Sequence, residues 1–271
     1  MSRGYSTEAI VLGSHKLREA DRVVNLFTSA RGKTPTVVKG VRKVGSRFGG
    51  RLEPFTHLEV QLHEGRTLHT LTGADTVRTH AAIRGQPAAL KAGLSFIDLL
   101  SRTGAELERR PRCFNLLVRF LDEMEKVVSA GTADGAGETG SAPGLHDGRS
   151  ADDVDGAAGV NRPAVLALGA ELKLLLLSGY LPHLSSCAHC GSEESLPRFS
   201  AMAGGALCAD CPGESFPVSA AALEAMRFLL ESPLAAAAGR RLDAAAERET
   251  WRAVREVCRY HLGFDPRVAP V

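Results

Sequence analysis

The chain has 271 residues, of which 44% are hydrophobic and 24% are charged, and its formal net charge is only +2. These proportions are ordinary for a globular protein and exclude a collagen-like or largely disordered chain. Affinity for a polyanion would need local segregation of charge, which residues 1–80 provide with thirteen Lys/Arg against seven Asp/Glu. The sequence shows no signal-peptide core and no apolar window of the ~18 residues that suggest a membrane span. We therefore expect a cytoplasmic protein whose thiols stay reduced.

Five short strand patterns fill residues 1–80. In the fourth, Leu58, Val60 and Leu62 alternate with polar residues, which is the period of a half-buried strand. The third loses its alternation at Gly40, which we interpret as a β-bulge. The five patterns are Ala9–Leu12, Arg22–Phe27, Thr36–Arg42, Leu58–Leu62 and Arg66–Thr72. Such a run predicts a small closed barrel, either an OB-fold, which commonly binds oligonucleotides, or an SH3-like barrel.

The stretch Arg31–Arg51 carries the densest positive charge, with seven basic residues and no acid. Thr36, Val37 and Val38 favour a strand, and glycines at positions 40, 45, 49 and 50 interrupt the residues that follow. Basic side chains on such an element form a fixed surface that suits a phosphate backbone, whereas the alternative is a charged edge that discourages strand pairing. The candidate nucleic-acid contacts are Arg31, Lys33, Lys39, Arg42, Lys43, Arg47 and Arg51.

Helical periodicity begins after Asp75. Leu90 and Ile97 belong to an apolar stripe at helical spacing, and Pro111 opens a second helix, so residues 81–128 are predicted to be the first part of a helical domain. Residues 129–160 hold eight Gly, seven Ala and six Asp/Glu with a single Arg. That composition cannot bury enough apolar surface to offset the entropy of ordering, so it predicts a flexible acidic linker.

The helical domain is predicted to resume after this linker. Residues 161–183 contain Val165–Leu177, which is apolar nearly all round and too short to span a bilayer, so we expect the central buried helix of a bundle there. Residues 217–271 predict two further helices, the second of which runs from about Leu242 to Leu262.

Four arginines of the last helix recur at i, i+4, i+7 and i+11 and therefore share one face. They are Arg248, Arg252, Arg255 and Arg259. Glu247, Glu249 and Glu256 are near enough in sequence to pair with them. The stripe is thus either a partner-binding surface or a solvated, salt-bridged helix face.

The segment 184–216 contains two C-x2-C pairs separated by seventeen residues. Each pair can present two thiolates to one ion, and tetrahedral zinc takes four ligands at about 2.3 Å. The spacing predicts a zinc ribbon inserted in the helical domain, the alternative being a degenerate ribbon that folds without metal. A closed site of four cysteines leaves no position for water, so its role is structural. The predicted ligands are Cys187, Cys190, Cys208 and Cys211.

Signatures of catalysis are missing from the sequence. There is no G-x-x-x-x-G-K-[ST] loop, no H-E-x-x-H and no G-x-S-x-G. Acids near the predicted barrel are few, which argues against a two-metal nuclease. We therefore expect a binding protein that is not an enzyme.

Two pairs of motifs give the chain a resemblance to the bacterial RecO family of recombination mediators. In the first half the resemblance rests on TEAIVLGSHKLREADRVVNLFTSARGK and KGVRKVGSRFGGRLEPFTHLEV, and in the second half on ELKLLLLSGYLPHLSSCAHCGS and ALCADC. The basic K-G-x-R-K…S-R-F-G-G-x-L-x-P run and the G-Y-x-P…C-x-x-C-G run are very specific when they occur in this order. The Gly/Ala/acidic segment is longer than the family leads us to expect.

The resemblance implies an α+β protein with an N-terminal OB-fold, a helical bundle and an inserted zinc-binding module that holds one structural Zn²⁺. It implies binding of single- and double-stranded DNA, annealing of complementary strands, and action with RecR to load RecA on SSB-coated DNA in the RecF pathway, at the nucleoid. The alternative function is an adaptor that binds RNA or protein in transcription or translation.

The resemblance also implies that the helical domain grips the acidic C-terminal tail of the single-strand-binding protein SSB. The arginine stripe of the last helix is therefore our sequence-based candidate for this contact, and basic residues near Lys91 and Arg102 are its alternatives.

Overall fold

The structure is a computed structural model that describes residues 4–41, 46, 48, 50–134 and 162–266. Three predicted DNA contacts, Arg42, Lys43 and Arg47, and all of the predicted linker beyond residue 134 lie outside these residues. The described chain is α+β and begins with a closed five-stranded barrel. The barrel strands are β1 (Gly4–Lys16), β2 (Arg22–Thr28), β3 (Gly32–Val38), β4 (His57–His63) and β5 (His69–Arg78).

The barrel closes in the order β1-β2-β3-β5-β4. Neighbouring strands are antiparallel, except that β3 and β5 pair in parallel through Thr36↔His69 and Val37↔Thr70. The first strand is much longer than the predicted Ala9–Leu12, and it pairs with β2 on one side and β4 on the other, with a register shift between Val11 and Gly13. A strand that pairs on both edges in this way joins the two ends of the sheet.

The prediction of a bulge at Gly40 is wrong. Strand β3 already ends at Val38, and Gly40 adopts a left-handed conformation with φ 65° in the turn that follows. Its N–H donates to Asp21 Oδ1 at 2.8 Å. The break in alternation therefore marks a strand end, at a position where the backbone conformation favours glycine.

The four buried apolar residues of β1 divide between two cores. Ala9 and Val11 belong to a cluster inside the barrel, whereas Ile10 and Leu12 belong to the large cluster formed mainly by the helices. Successive strand side chains point to opposite faces, so the outer face of β1 packs on the helical domain. Phe55, which is fully buried, joins the same helical cluster.

The helices of the described chain pack around α4, which is buried on nearly all sides. Their bounds are α1 (Ala81–Gly85), α2 (Pro87–Arg102), α3 (Pro111–Asp134), α4 (Arg162–Leu177), α5 (Ala220–Glu231), α6 (Leu234–Gly239) and α7 (Ala244–Val257), followed by a π-helical turn (Cys258–Leu262). Contacts with α2, α3, α5, α6 and α7 surround α4. None of the described helices is long and apolar enough to cross a membrane.

Two helical features differ from the sequence-based expectation. Helix α3 continues to Asp134, past the predicted end at residue 128. Val128 is buried against the core, and no proline follows before Pro143 to stop the helical hydrogen bonding. Helix α6 was not predicted, since its six residues are too few to show a periodicity.

A small antiparallel sheet lies between α4 and α5 in sequence. It consists of β6 (Arg198–Ser200), β7 (Gly205–Leu207) and β8 (Phe216–Pro217) in the order β7-β6-β8. A Cβ atom added at Gly205 would lie 2.0 Å from the carbonyl oxygen of His183, so this close approach requires glycine.

Candidate metal centre and nucleic-acid interface

The four predicted cysteine ligands come together beside the small sheet. Their Sγ atoms all lie within 4.8 Å of one another. The Sγ–Sγ distance is 3.7 Å between Cys187 and Cys211 and 3.8 Å between Cys190 and Cys208. Four thiolates at about 2.3 Å from a central ion form a tetrahedron with edges of about 3.8 Å. The cluster therefore has the size and chemistry to hold a metal ion.

Backbone hydrogen bonds shape the first C-x2-C turn. Gly191 adopts φ 77°, and its N–H donates to the carbonyl oxygen of Cys187 at 2.9 Å. The N–H of Cys187 donates to the carbonyl oxygen of Ser192 at 2.7 Å, and that of Ala188 to Ala206 in β7 at 2.8 Å. The glycine after the second cysteine thus supplies the left-handed residue that lets the turn close against the sheet.

The surroundings of the sulfurs favour the thiolate form of one cysteine and disfavour the thiolate form of another. Backbone N–H groups of Cys190 and Cys208 lower the pKa of Cys187 to about 5. The Sγ of Cys208 and burial raise the pKa of Cys211. Several thiolates this close repel one another, so all four cysteines can ionise together only with a cation between them.

Arg198, which the sequence analysis missed, organises the second C-x2-C turn. Its guanidinium group donates to the carbonyl oxygens of Cys208 at 2.7 Å and Ala209 at 3.0 Å, and also to that of Cys211. These three bonds hold the backbone that carries two of the four ligands. A single arginine in β6 has no spacing signal that would reveal this role.

We expect Arg198→Lys to weaken metal binding about ten- to hundred-fold, because an ammonium cannot reproduce the fork of donors that orients the ligand backbone. Competition with a chromophoric chelator measures the affinity. Arg241→Lys, at an exposed position outside the module, is the matched control. Equal affinities of the two variants would contradict the role given to Arg198.

Two of the predicted DNA contacts make internal contacts of the protein. Arg31 forms an ion pair with Glu64, and its guanidinium carbon lies 4.6 Å from the centroid of the Tyr5 ring. Lys33 Nζ donates to the carbonyl oxygen of Ser101 in α2 at 2.6 Å, and burial lowers the pKa of its ammonium group. Lys33 thus ties the barrel to the helical domain.

Lys39 and Arg51 lie on the surface on either side of the turn that the structure describes in part. Both side chains are exposed. Arg51 Nη1 donates to the carbonyl oxygen of Ala74 in β5 at 3.0 Å, which fixes the side chain and leaves its other donors to solvent.

The hairpin between β1 and β2 adds basic residues that the sequence analysis missed. Lys16 and Arg22 are directly opposite in the ladder, and Arg22 pairs on its other side with Val38, next to Lys39. Arg18 is exposed in the turn between the strands. Like charges directly opposite destabilise a sheet, although Glu19 and Asp21 of the same turn offset part of the charge. Only the strand pairing brings the basic residues together.

The arginine stripe of the last helix divides into groups with different surroundings. Arg255 forms two hydrogen bonds of 2.5 Å with Asp265, whereas Arg259 pairs with Glu256 at 3.2 Å. The guanidinium carbon of Arg252 lies 4.2 Å from the centroid of the Phe216 ring. Arg248 is exposed, and Glu249 accepts from the N–H of Ser219 at 2.7 Å.

Two grooves open on the helical side of the molecule. The terminal groove, about 330 Å³ in volume, lies between the small sheet and α7 and is lined by Arg252, Arg259 and Tyr260 among others. The bundle groove, about 600 Å³, is lined by residues of α3, α4, α5 and α6, among them the apolar Leu176 and the exposed Arg112. Four separate helices contribute to the bundle groove, so no local pattern could have revealed it.

Comparisons with known proteins assign the chain to a family. A family model described as Recombination protein O N terminal matches residues 1–80, and one described as Recombination protein O C terminal matches residues 154–268. The chain belongs to the RecO family. The resemblance inferred from its motifs is therefore confirmed.

Curated relatives extend the RecO match over most of the chain. The DNA repair protein RecO of Rubrobacter xylanophilus is 36% identical over 254 residues, which cover 90% of this chain and 88% of that protein. The corresponding values are 38% over 221 residues (79% and 77%) for RecO of Nocardioides sp. and 32% over 271 residues (98% and 83%) for RecO of Roseiflexus sp.. The two RecO models contain the whole barrel and all four cysteines, and they leave α1 to α3 unmatched.

Proposed function

We propose that this RecO-family protein is a DNA repair and recombination mediator that binds single- and double-stranded DNA and anneals complementary strands. The observation that carries the proposal is the basic end of the barrel, where Lys16 lies opposite Arg22 and Arg22 pairs on its other side with Val38, next to the exposed Lys39. The names of the relatives, DNA repair protein RecO, supply the biological context.

We further assign the barrel to the OB-fold class and the cysteine module to the zinc ribbons. The non-sequential neighbours β3 and β5 support the first assignment over a simple meander. Four thiolates at tetrahedral spacing are typical of zinc sites and of iron–sulfur sites. The paired C-x2-C turns beside a small sheet are typical of zinc ribbons, which supports Zn²⁺ as the structural ion.

Annealing by this protein needs no chemical step. Two complementary strands repel each other through their phosphates, and a basic surface lowers that repulsion while it leaves the bases free to pair. The barrel suits this role, because its aromatic side chains are buried or half-buried and do not compete for bases. The protein is accordingly proposed to be a non-enzymatic mediator that works at the nucleoid in the cytoplasm.

The salt dependence of binding tests the basic surface. If about five phosphates are neutralised, log K for single strands should fall with log salt with a slope near −3.5. Lys16→Gln/Arg22→Gln and Lys43→Ala/Arg47→Ala should each flatten the slope by about one to two. Arg109→Gln/Arg241→Gln, two exposed arginines outside the barrel, should leave it unchanged. A slope that stays the same in both barrel variants would place the DNA surface elsewhere.

An adaptor of transcription or translation is the second candidate function, since a zinc ribbon and a barrel also occur in such proteins. Pairing of complementary strands, with and without SSB, separates the two. A mediator accelerates pairing and leaves the strands intact, whereas an adaptor leaves the rate unchanged and a hydrolase shortens the strands.

The proposed protein partners are RecR, SSB and, through them, RecA. We place the acidic SSB tail in the bundle groove, whose apolar floor and exposed rim residues Arg112 and Arg119 match a tail with both charge and an apolar terminus. The sequence-based candidate, the stripe of the last helix, is weaker because Arg255 and Arg259 already face carboxylates.

Titration of a labelled SSB tail peptide distinguishes the two grooves. Arg112→Glu/Arg119→Glu should weaken peptide binding at least about ten-fold, because two attractive charges become repulsive. Arg252→Glu/Arg259→Glu should bind the peptide like the wild type. The reverse pattern would restore the stripe as the tail site.

A further inference from the structure

Exposed aromatic rings are nearly absent from this protein. All fourteen Phe, Tyr and Trp residues belong to the described part of the chain, and Tyr260 is the only exposed one among them, at 56%. In the barrel, Phe27, Phe48 and Phe55 are buried, and Tyr5 is half-covered by Arg31. Bases of a single strand commonly stack on aromatic rings, so a stacking contact would have to lie on the helical side.

The π-helical turn places Tyr260 on the surface. Cys258 at the start of the turn is fully buried, whereas three successive residues, Arg259, Tyr260 and His261, are exposed. The His261 ring stands at 90° to the Tyr260 ring with centroids 4.9 Å apart, and Tyr180 lies 5.5 Å from His261 on the other side. The Tyr260 ring thus packs against the His261 ring. Single π-helical turns are frequent at functional sites.

The terminal groove next to Tyr260 offers the other groups that a nucleotide needs. Arg252 stacks on Phe216 and forms no ion pair within the described residues. A guanidinium group held flat in this way can donate to a phosphate. The groove also contains Met202, a soft apolar side chain that is 53% exposed.

Two carboxylates also line the terminal groove. Glu256 is compensated by Arg259 at 3.2 Å, whereas Glu214 has no such partner among the described residues. In a nucleotide site a carboxylate can accept from the exocyclic amino group of a base, as Glu does with cytosine. The bundle groove contains two carboxylates as well, so the terminal groove differs from it by its exposed aromatic ring rather than by its charge.

We propose that the terminal groove is a second nucleic-acid site, which takes an unpaired nucleotide of a single strand with its base on Tyr260 and its phosphate at Arg252. This inference rests on the proposed function and deepens it: the barrel holds a strand through phosphates, and the terminal groove holds one through a base. Strand annealing would then use two surfaces of different chemistry.

Anisotropy titrations with short oligothymidylate and with an abasic oligonucleotide of equal length test the site. Tyr260→Ala should bind oligothymidylate at least about five-fold more weakly, the factor that corresponds to the lower limit of about 1 kcal/mol for stacking on one ring. Its affinity for the abasic strand should not change. Tyr260→Phe, which keeps the ring, should bind both like the wild type. Arg252→Gln should flatten the salt slope by about 0.7 for both oligonucleotides.

Further outcomes separate this inference from the proposed function. If Lys16→Gln/Arg22→Gln weakens DNA binding while Tyr260→Ala does not, the terminal groove is not a nucleotide site and the barrel proposal survives. If Tyr260→Ala weakens binding of an acidic peptide and not of oligothymidylate, the groove is a peptide site and the inference is overturned. A wild-type protein that binds neither oligonucleotide would overturn both proposals.

Discussion

Cys187→Ser/Cys211→Ser protein is expected to contain no zinc and to melt more than about 10 °C below the wild type. Structural zinc sites contribute about 10–16 kcal/mol in zinc-finger peptides, and each kcal/mol shifts the melting temperature of a chain of this size by about 2–4 °C. The loss here is smaller than the peptide value, because the helical core remains. Elemental analysis and thermal unfolding are the measurements.

The reason for a large effect is the small core of the module. Its cluster consists of Leu207 and three of the cysteine ligands, Cys187, Cys208 and Cys211. Other apolar residues of the segment 184–216, such as Phe199 and Phe216, belong to the large helical cluster instead. The turns that carry the cysteines therefore have few apolar contacts of their own to offset the entropy of ordering without a metal ion. Limited proteolysis should therefore cut the variant within this segment first.

Cys113→Ala is the matched control for the cysteine variant. Cys113 is buried in α3, away from the cluster, and burial raises the pKa of its thiol. The control should keep one zinc ion per chain and lose only the packing of a small side chain. A wild-type protein without zinc, or a double variant that melts like the wild type, would contradict the structural role of the metal.

Glu171→Gln is expected to remove a large pH dependence of stability. Glu171 lies in α4 with 2% of its surface exposed, and its Oε1 accepts from Ser95 Oγ in α2 at 2.6 Å. Burial raises the pKa of this carboxyl to about 7, although the bond from Ser95 opposes the rise. The folded protein therefore keeps the proton at pH values where the unfolded chain has released it.

The sign of the effect follows from proton linkage. Between the unfolded pKa of about 4.5 and the folded pKa of about 7, the folded state binds more protons, so its stability falls as the pH rises. The stabilising contribution is complete below the unfolded pKa and is lost as the pH rises through 7. For one proton this amounts to roughly 2–3 kcal/mol between pH 5 and pH 8.

Urea unfolding at pH 5 and pH 8 measures this difference. The stability of wild type relative to Glu171→Gln should fall by that amount, because groups such as His57, whose pKa is lowered by burial, contribute equally to both proteins. Glu59→Gln, at an exposed position of β4, should follow the wild type. Parallel pH profiles of wild type and Glu171→Gln would refute the assignment.

Local patterns predicted the parts of this structure that depend on neighbours in sequence. Each C-x2-C pair brings two cysteines together, so only the approach of the two pairs to each other could not be predicted. The alternation of Leu58, Val60 and Leu62 located β4. Contacts between residues that are far apart in sequence could not be predicted from local patterns. Lys33 meets a carbonyl group 68 positions away, and its charge had been assigned to DNA.

The same limit applies to the basic hairpin and to the arginine stripe. Lys16 and Arg22 look like ordinary surface residues until the ladder places them opposite each other. Helical spacing places Arg255 on the same helix face as Arg252. In the folded chain, however, the Arg255 side chain forms two hydrogen bonds with Asp265, which follows the π-helical turn. Helical spacing indicates which residues can share a face, and the folded chain decides which of them keep their charge available.

The divided packing of the first strand has a consequence for how this protein can be dissected and how it can evolve. A fragment of residues 1–80 would leave Ile10, Leu12, Phe27 and Phe55 without the helices that cover them. At about 1.5–3 kcal/mol for each such side chain, the loss approaches the entire stability of an ordinary domain. A barrel transplanted from a relative would also leave apolar side chains poorly covered, unless the helices that pack on its outer face were transplanted with it. The two halves therefore depend on each other, and a substitution in α2 can change the shape of the barrel, and with it the proposed DNA surface, from a distance.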